Sequence, residues 1–138
     1  MLVSDCNGGI FVIYDDVSRQ VLLAFTGGVF ACFALWATLK PKSLAISLGY
    51  TLTSKNSISE FHAIYVGVFI AQTWLCALAC TRVTDAALGN LVAVFLLGQP
   101  FGRMIATFRG GRPAGFLLVL FIMEFVGGGI ILLVQPSL

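Results

Sequence analysis

The chain has 138 residues, the size of one domain, and is 59% hydrophobic but only 10% charged. A water-soluble domain carries about 25% charged residues, so this chain cannot cover a water-facing surface and most of it must be solvated by lipid. Its formal net charge of +2 excludes the strongly basic balance on which nucleic-acid binding depends.

The first twenty residues hold Asp5, Asp15 and Asp16 before Arg19. They lack the basic start and early apolar core of a secretory signal, so the membrane segments themselves are expected to direct insertion. We read residues 1–20 as an extramembrane segment and residues 21–138 as a transmembrane domain.

Four apolar runs follow. The first, VLLAFTGGVFACFALWATL, occupies residues 21–39 and stops at Lys40, Pro41 and Lys42. Beyond it, SLAISLGYTL is moderately apolar and suits a segment lying along the membrane interface. In SKNSISEFHAIY, Ser57 and Glu60 have the S-x-x-E spacing of a capping box. The second run covers residues 61–81 and ends at Arg82. The third, residues 86–108, is interrupted by Gln99, Pro100 and Arg103. Pro100 lacks a backbone donor and is predicted to kink it. After the turn RGGRP the fourth run covers residues 114–134 and carries Glu124 near its centre. A bilayer core of roughly 30 Å needs about 20 helical residues, so each run is long enough to span. Backbone groups in lipid must be paired internally, which leaves helices as the fitting structure. The predicted fold is an all-α, integral membrane, antiparallel four-helix bundle.

Basic residues set the expected orientation. Lys40, Lys42, Lys55, Arg103, Arg109 and Arg112 gather on one side, against Arg19 and Arg82 on the other. Loops 40–60 and 109–113 should therefore be cytoplasmic and both termini outside. Small residues recur at helical spacing: Ala24, Gly28 and Cys32, then Ala63, Gly67 and Ala71, then Gly127, Gly128 and Gly129. Such residues let helices approach closely in lipid.

The four cysteines are Cys6, Cys32, Cys76 and Cys80. Cys76 and Cys80 share a helix face, but His62 is the only histidine and lies far from them, so no metal site is expected and the cysteines read as small apolar residues.

Depth follows from the helical rise. Counted from the cytoplasmic ends, Gln99 lies about 14 Å deep, Glu124 about 16 Å and Gln72 about 18 Å. Three polar side chains on three helices thus reach one level, and a midplane cluster is expected in which Gln72 and Gln99 hydrogen-bond Glu124. An acid at that depth is costly when charged. Arg103 is the candidate cation on a helix, about 8 Å from Glu124 along the membrane normal. Arg103 also suits an ion pair with Glu60 at the cytoplasmic boundary. His62 reads as an interface residue. The outer half of the helices shows no titratable group, and Asn90 is its one strongly polar residue.

The run NSISEFHAIYVGVFIAQ resembles the second-helix signature of a family of small, four-helix bacterial membrane proteins of unknown function. Ser59, Glu60, His62, Tyr65 and Gly67 carry that signature, with His62 where the family usually has arginine. Gly102 and Arg103 match its third-helix ending, RGGRP its turn, and Glu124 the acid of its last helix. The chain is more distantly similar to DoxX-like four-helix proteins, some of them linked to quinone or thiol oxidation. The resemblance implies this fold and a bacterial inner-membrane setting.

No nucleophile–base pair, phosphate loop, metal set or dinucleotide motif is visible, so neither an enzyme nor a cofactor is expected. The leading expectation is an accessory or structural subunit of a larger bacterial membrane complex, in contact with membrane lipids. The alternatives are a stand-alone binder of a quinone or lipid at the midplane cluster, or a small proton or solute transporter using Glu124.

Overall fold

The computed structural model describes residues 12–137. Cys6, Asp5 and most of the expected extramembrane segment lie outside the described residues. The chain is mostly helical: α1 (Asp16–Leu39), a short α2 (Pro41–Ser47), α3 (Lys55–Thr81), α4 (Ala86–Phe108) and α5 (Phe116–Leu133). Four of these, α1, α3, α4 and α5, are long and apolar enough to cross a membrane. Two-residue strands, β1 (Ile13–Tyr14) and β2 (Val134–Gln135), pair in parallel and tie the approach to α1 to the end of α5.

Helix α1 begins at Asp16, five residues before the apolar run, because Asp15 caps it. The Asp15 carboxylate accepts from the Val17 N–H at 3.1 Å and from the Ser18 hydroxyl at 2.6 Å. The first of these bonds satisfies a backbone donor that a helix start leaves open. The expected interfacial stretch is partly a helix. Pro41 opens α2 at its first turn, where a missing N–H costs nothing. Gly49, at φ +80°, follows the last turn and takes the left-handed conformation that glycine tolerates. Leu44, Ala45 and Leu48 of this segment are buried against Ala37 and Phe61.

The capping box of α3 is one turn earlier than the sequence spacing suggests. Ser54 and Ser57 exchange the two bonds, each at 3.0 Å. Ser57 thus occupies the third helical position, and Glu60 lies inside the helix, where its backbone N–H needs no cap. Within α3 the backbone widens to a π-helix over Ala63–Val68. Helix α4 starts from Asp85, whose carboxylate accepts from the Ala87 N–H at 3.1 Å, and continues through the buried Pro100 to Phe108.

Helix α1 packs chiefly on α3, and α4 chiefly on α5, with lesser contacts between α3 and α4 and between α1 and α5. The first pairing is close at Gly27, where an added Cβ would lie 2.9 Å from the Cβ of Cys76. The second is close at Gly128, where it would lie 2.6 Å from Cγ of Leu97. The packing glycine of α1 is therefore Gly27. Ala24, Gly28 and Cys32 are exposed, as are Ala63, Gly67 and Ala71. One residue along a helix turns the side chain by about 100°, because 3.6 residues complete a turn, so neighbouring small residues serve different faces.

The core joins Leu23, Phe30, Phe69, Cys76, Val92, Leu96 and Ile131. Large apolar side chains on every long helix face outward, among them Phe25, Trp74, Phe95 and Phe125.

Candidate functional site

Phe61, Tyr65 and Phe69 of α3 point inward at four-residue steps. Their rings form a column, with centroids 4.5 Å apart for Phe61–Tyr65 and 5.5 Å for Tyr65–Phe69. A four-residue step overshoots the 3.6-residue α-turn. The wider i→i+5 turn over Ala63–Val68 absorbs the overshoot and keeps the three rings in line. Phe69 also meets Phe30 of α1 edge-on at 5.2 Å, which closes this side of the core.

Beside the column, α4 and α5 place Arg103 against Glu124. The guanidinium donates from Nη1 to Oε2 and from Nη2 to Oε1, the latter at 3.2 Å, in a two-pronged ion pair. The side chains keep 21% and 11% of their surface exposed, so water-like screening is weak there. Neither Gln72 nor Gln99 bonds to the acid. A planar guanidinium supplies two parallel charge-assisted bonds, which neutral amides cannot match. The expected Glu60–Arg103 pair does not form, because Arg103 is committed to Glu124 and Glu60 stays on an exposed face of α3. His62, two positions on, turns Nδ1 to its own helix at the Ile58 carbonyl oxygen, 2.8 Å away.

A cavity of about 370 Å³ opens between α1 and α5, floored by α3 and α4. Glu124, Arg103, Gln99, Tyr65 and Thr26 are its polar groups, and the rest of its wall is apolar and aromatic. The structure thus brings together Glu124, Gln99 and Arg103 but leaves Gln72 outside the cavity. Gln72 is buried, and its Oε1 has no partner among the described residues. Tyr65 and Thr26 are the polar lining residues that reading for polar residues at depth passed over. For Tyr65, its four-residue spacing from Phe61 and Phe69 was the available signal.

A second polar centre stands at the opposite end of the helices. Arg19 is fully buried. Its guanidinium donates to the carbonyl oxygens of Ile131 at 3.3 Å, Val134, and Ala86 at 3.0 Å, and to Oδ1 of Asn90 at 3.2 Å. Ile131 and Val134 lie at the C-terminal end of α5, where open carbonyls and the helix dipole favour a cation. This end of the helices therefore holds a buried titratable group, Arg19, which the sequence reading places in the segment before the first apolar run. The signal was its register: Arg19, Leu23, Thr26, Gly27, Phe30, Ala34 and Ala37 form the buried stripe of α1. Among the described residues, no three His, Cys, Asp or Glu side chains converge as a metal ion would require.

The sequence pattern of one protein family, described as a domain of unknown function (DUF4345), matches residues 18–135. The chain belongs to this family. The match runs from the residue before Arg19 to Gln135, so both polar centres of this DUF4345 chain fall within it. No curated protein and no solved structure matches the chain.

Proposed function

We propose that this protein is an integral membrane, antiparallel four-helix bundle that binds a small, largely apolar molecule beside Arg103 and Glu124. The lateral cavity carries this reading, because it combines an apolar, aromatic wall with a few convergent polar groups. Ionisable side chains at such depth are costly and usually mark a function. The outward-facing apolar side chains on all four long helices support the lipid setting. The distribution of basic residues supports cytoplasmic loops 40–60 and 109–113 with both termini outside, and the resemblance to bacterial proteins supports an inner membrane.

The test is purification in mild detergent, followed by mass spectrometry of bound small molecules. Gly127 lines the cavity, and an added Cβ would already lie 3.4 Å from Leu96. A Gly127→Phe variant should fill the space and lose the copurified molecule. Identical small-molecule profiles for folded wild type and variant would count against the reading.

A second reading, an accessory subunit of a larger membrane complex, draws on the exposed small residues Ala24, Gly28 and Cys32. They face away from the rest of the chain and suit close approach by a foreign helix. Native mass spectrometry of the particle would show other subunits at fixed stoichiometry.

A further inference from the structure

The polar groups of the cavity stand at one end of it. Arg103 lies in the last turns of α4, Glu124 in the first half of α5, and Tyr65 in the first half of α3, all toward the end where α4 turns into α5. Away from them the wall is apolar apart from Thr26. On α1 it reaches from Leu22 to Phe33, about 16 Å by the helical rise. Phe25 and Val126 on its rim are 64% and 50% exposed, so a chain can enter sideways between α1 and α5.

The head end is polar yet neutral overall. Among the described residues, Arg103 and Glu124 are the charged ones that line the cavity, and each already holds the other through two bonds. An anionic head would have to take the guanidinium from Glu124 and leave a carboxylate unpaired at depth. A cationic head would leave Arg103 in the same position. Breaking a buried pair from one side is strongly unfavourable. A hydroxyl head avoids this. It donates to a spare lone pair of Glu124, accepts from a further N–H of Arg103, and finds the Gln99 amide as a second donor and acceptor. The cavity volume of about 370 Å³ is near the lower end for ligand sites, which favours one apolar chain over two.

We infer that the site takes an uncharged, single-chain membrane lipid with a hydroxyl head, its head at Arg103 and Glu124 and its chain along α1 and α5. This inference rests on the binding reading above and narrows it. The test is binding of four probes to the delipidated protein in detergent: monooleoylglycerol, methyl oleate, ionised oleate and oleylamine. Monooleoylglycerol should bind most tightly. Methyl oleate, which cannot donate, should bind about tenfold more weakly, the loss of one hydrogen bond to a charged group. Oleate and oleylamine should be at least as weak as methyl oleate. Oleate or oleylamine binding as tightly as monooleoylglycerol would overturn the neutral-head inference and leave the cavity as a lipid site. Binding of none of the four would overturn the cavity reading and the inference together. In Glu124→Gln the guanidinium loses its counter-charge, so oleate should rise above monooleoylglycerol. An unchanged order in a folded Glu124→Gln protein would also overturn the inference, and the wild-type panel decides alone if that variant does not fold.

Discussion

Arg103 and Glu124 join α4 to α5 through both terminal nitrogens of the guanidinium and both carboxylate oxygens. Each residue would be an unfavourable occupant of a lipid-facing helix by itself. Together they form a neutral, directional unit that fixes the register of the two helices and supplies the head end of the cavity.

Replacing either member alone should therefore cost more than replacing both. Glu124→Leu leaves a guanidinium unpaired and is expected to destabilise by about 3 kcal/mol. The double change Arg103→Met with Glu124→Leu should recover most of that loss. Unfolding by added denaturing detergent, followed by circular dichroism, measures the difference. Additive losses in the double variant would mean that the two side chains do not act as a pair.

Gly89 is the counterpart at the other polar centre. A Cβ added there would fall 2.3 Å from Nη2 of Arg19, too close for the guanidinium to stay. Gly89→Ala should move that group off Ala86 and Asn90 and cost about 2 kcal/mol. The backbone conformation of Gly89 is helical, so alanine adds no strain by itself and raises helix propensity. A stabilised Gly89→Ala protein would show that Arg19 does not sit where it is described.

Within the glycine triplet of α5, position decides the outcome. Gly128→Ala meets Leu97 and the Ala93 carbonyl and should cost about 1–3 kcal/mol through overpacking. Gly129→Ala meets nothing within 4 Å and should be neutral or stabilising by up to about 1 kcal/mol. The same unfolding measurement compares them, and equal effects would contradict the packing of α4 on α5.

Asp15 gives a pH dependence. The Ser18 hydroxyl, and after it the Val17 and Ser18 backbone groups, hold its carboxyl below the usual value of about 3.9. A carboxyl with a lowered folded-state pKa contributes stability that is present above its unfolded value. That contribution is lost as pH falls through the folded one. An Asp15→Asn protein keeps a capping side chain but no titrating group. It should show a smaller decline in melting temperature below about pH 4 than wild type. Parallel acid branches for the two proteins would remove Asp15 from the titration.

Much of the architecture was legible in the apolar runs. A run of about 20 apolar residues satisfies its own backbone hydrogen bonds as a helix, and its length sets the length of that helix. The four long helices accordingly lie where the apolar runs do, with α1 and α3 extended by their caps at Asp15 and Ser54. The choice among neighbouring small residues was not legible. Gly27 and Gly28 are alike in sequence, yet only Gly27 meets Cys76. Composition does not record the direction in which a helix turns its face.

The candidate site divides in the same way. Glu124, Gln99 and Arg103 stand out in the sequence because a polar side chain inside an apolar run is rare and costly. Depth from the helical rise put Glu124, Gln99 and Gln72 at one level, and Arg103 nearer the edge. Depth leaves azimuth free, and the rotation of each helix about its own axis is set by packing. Packing turns Gln72 out of the cavity, brings Arg103 rather than an amide to Glu124, and lines Tyr65 up with Phe61 and Phe69 through a widened turn. It also draws Arg19 inward, because the open carbonyls at the end of α5 lie within reach of its long side chain. The sequence by itself determined which segments are long and apolar enough to cross a membrane and which polar residues they must carry. The tertiary structure alone decided which of those residues meet, since that depends on helix rotation and side-chain reach, to which hydropathy and spacing are blind.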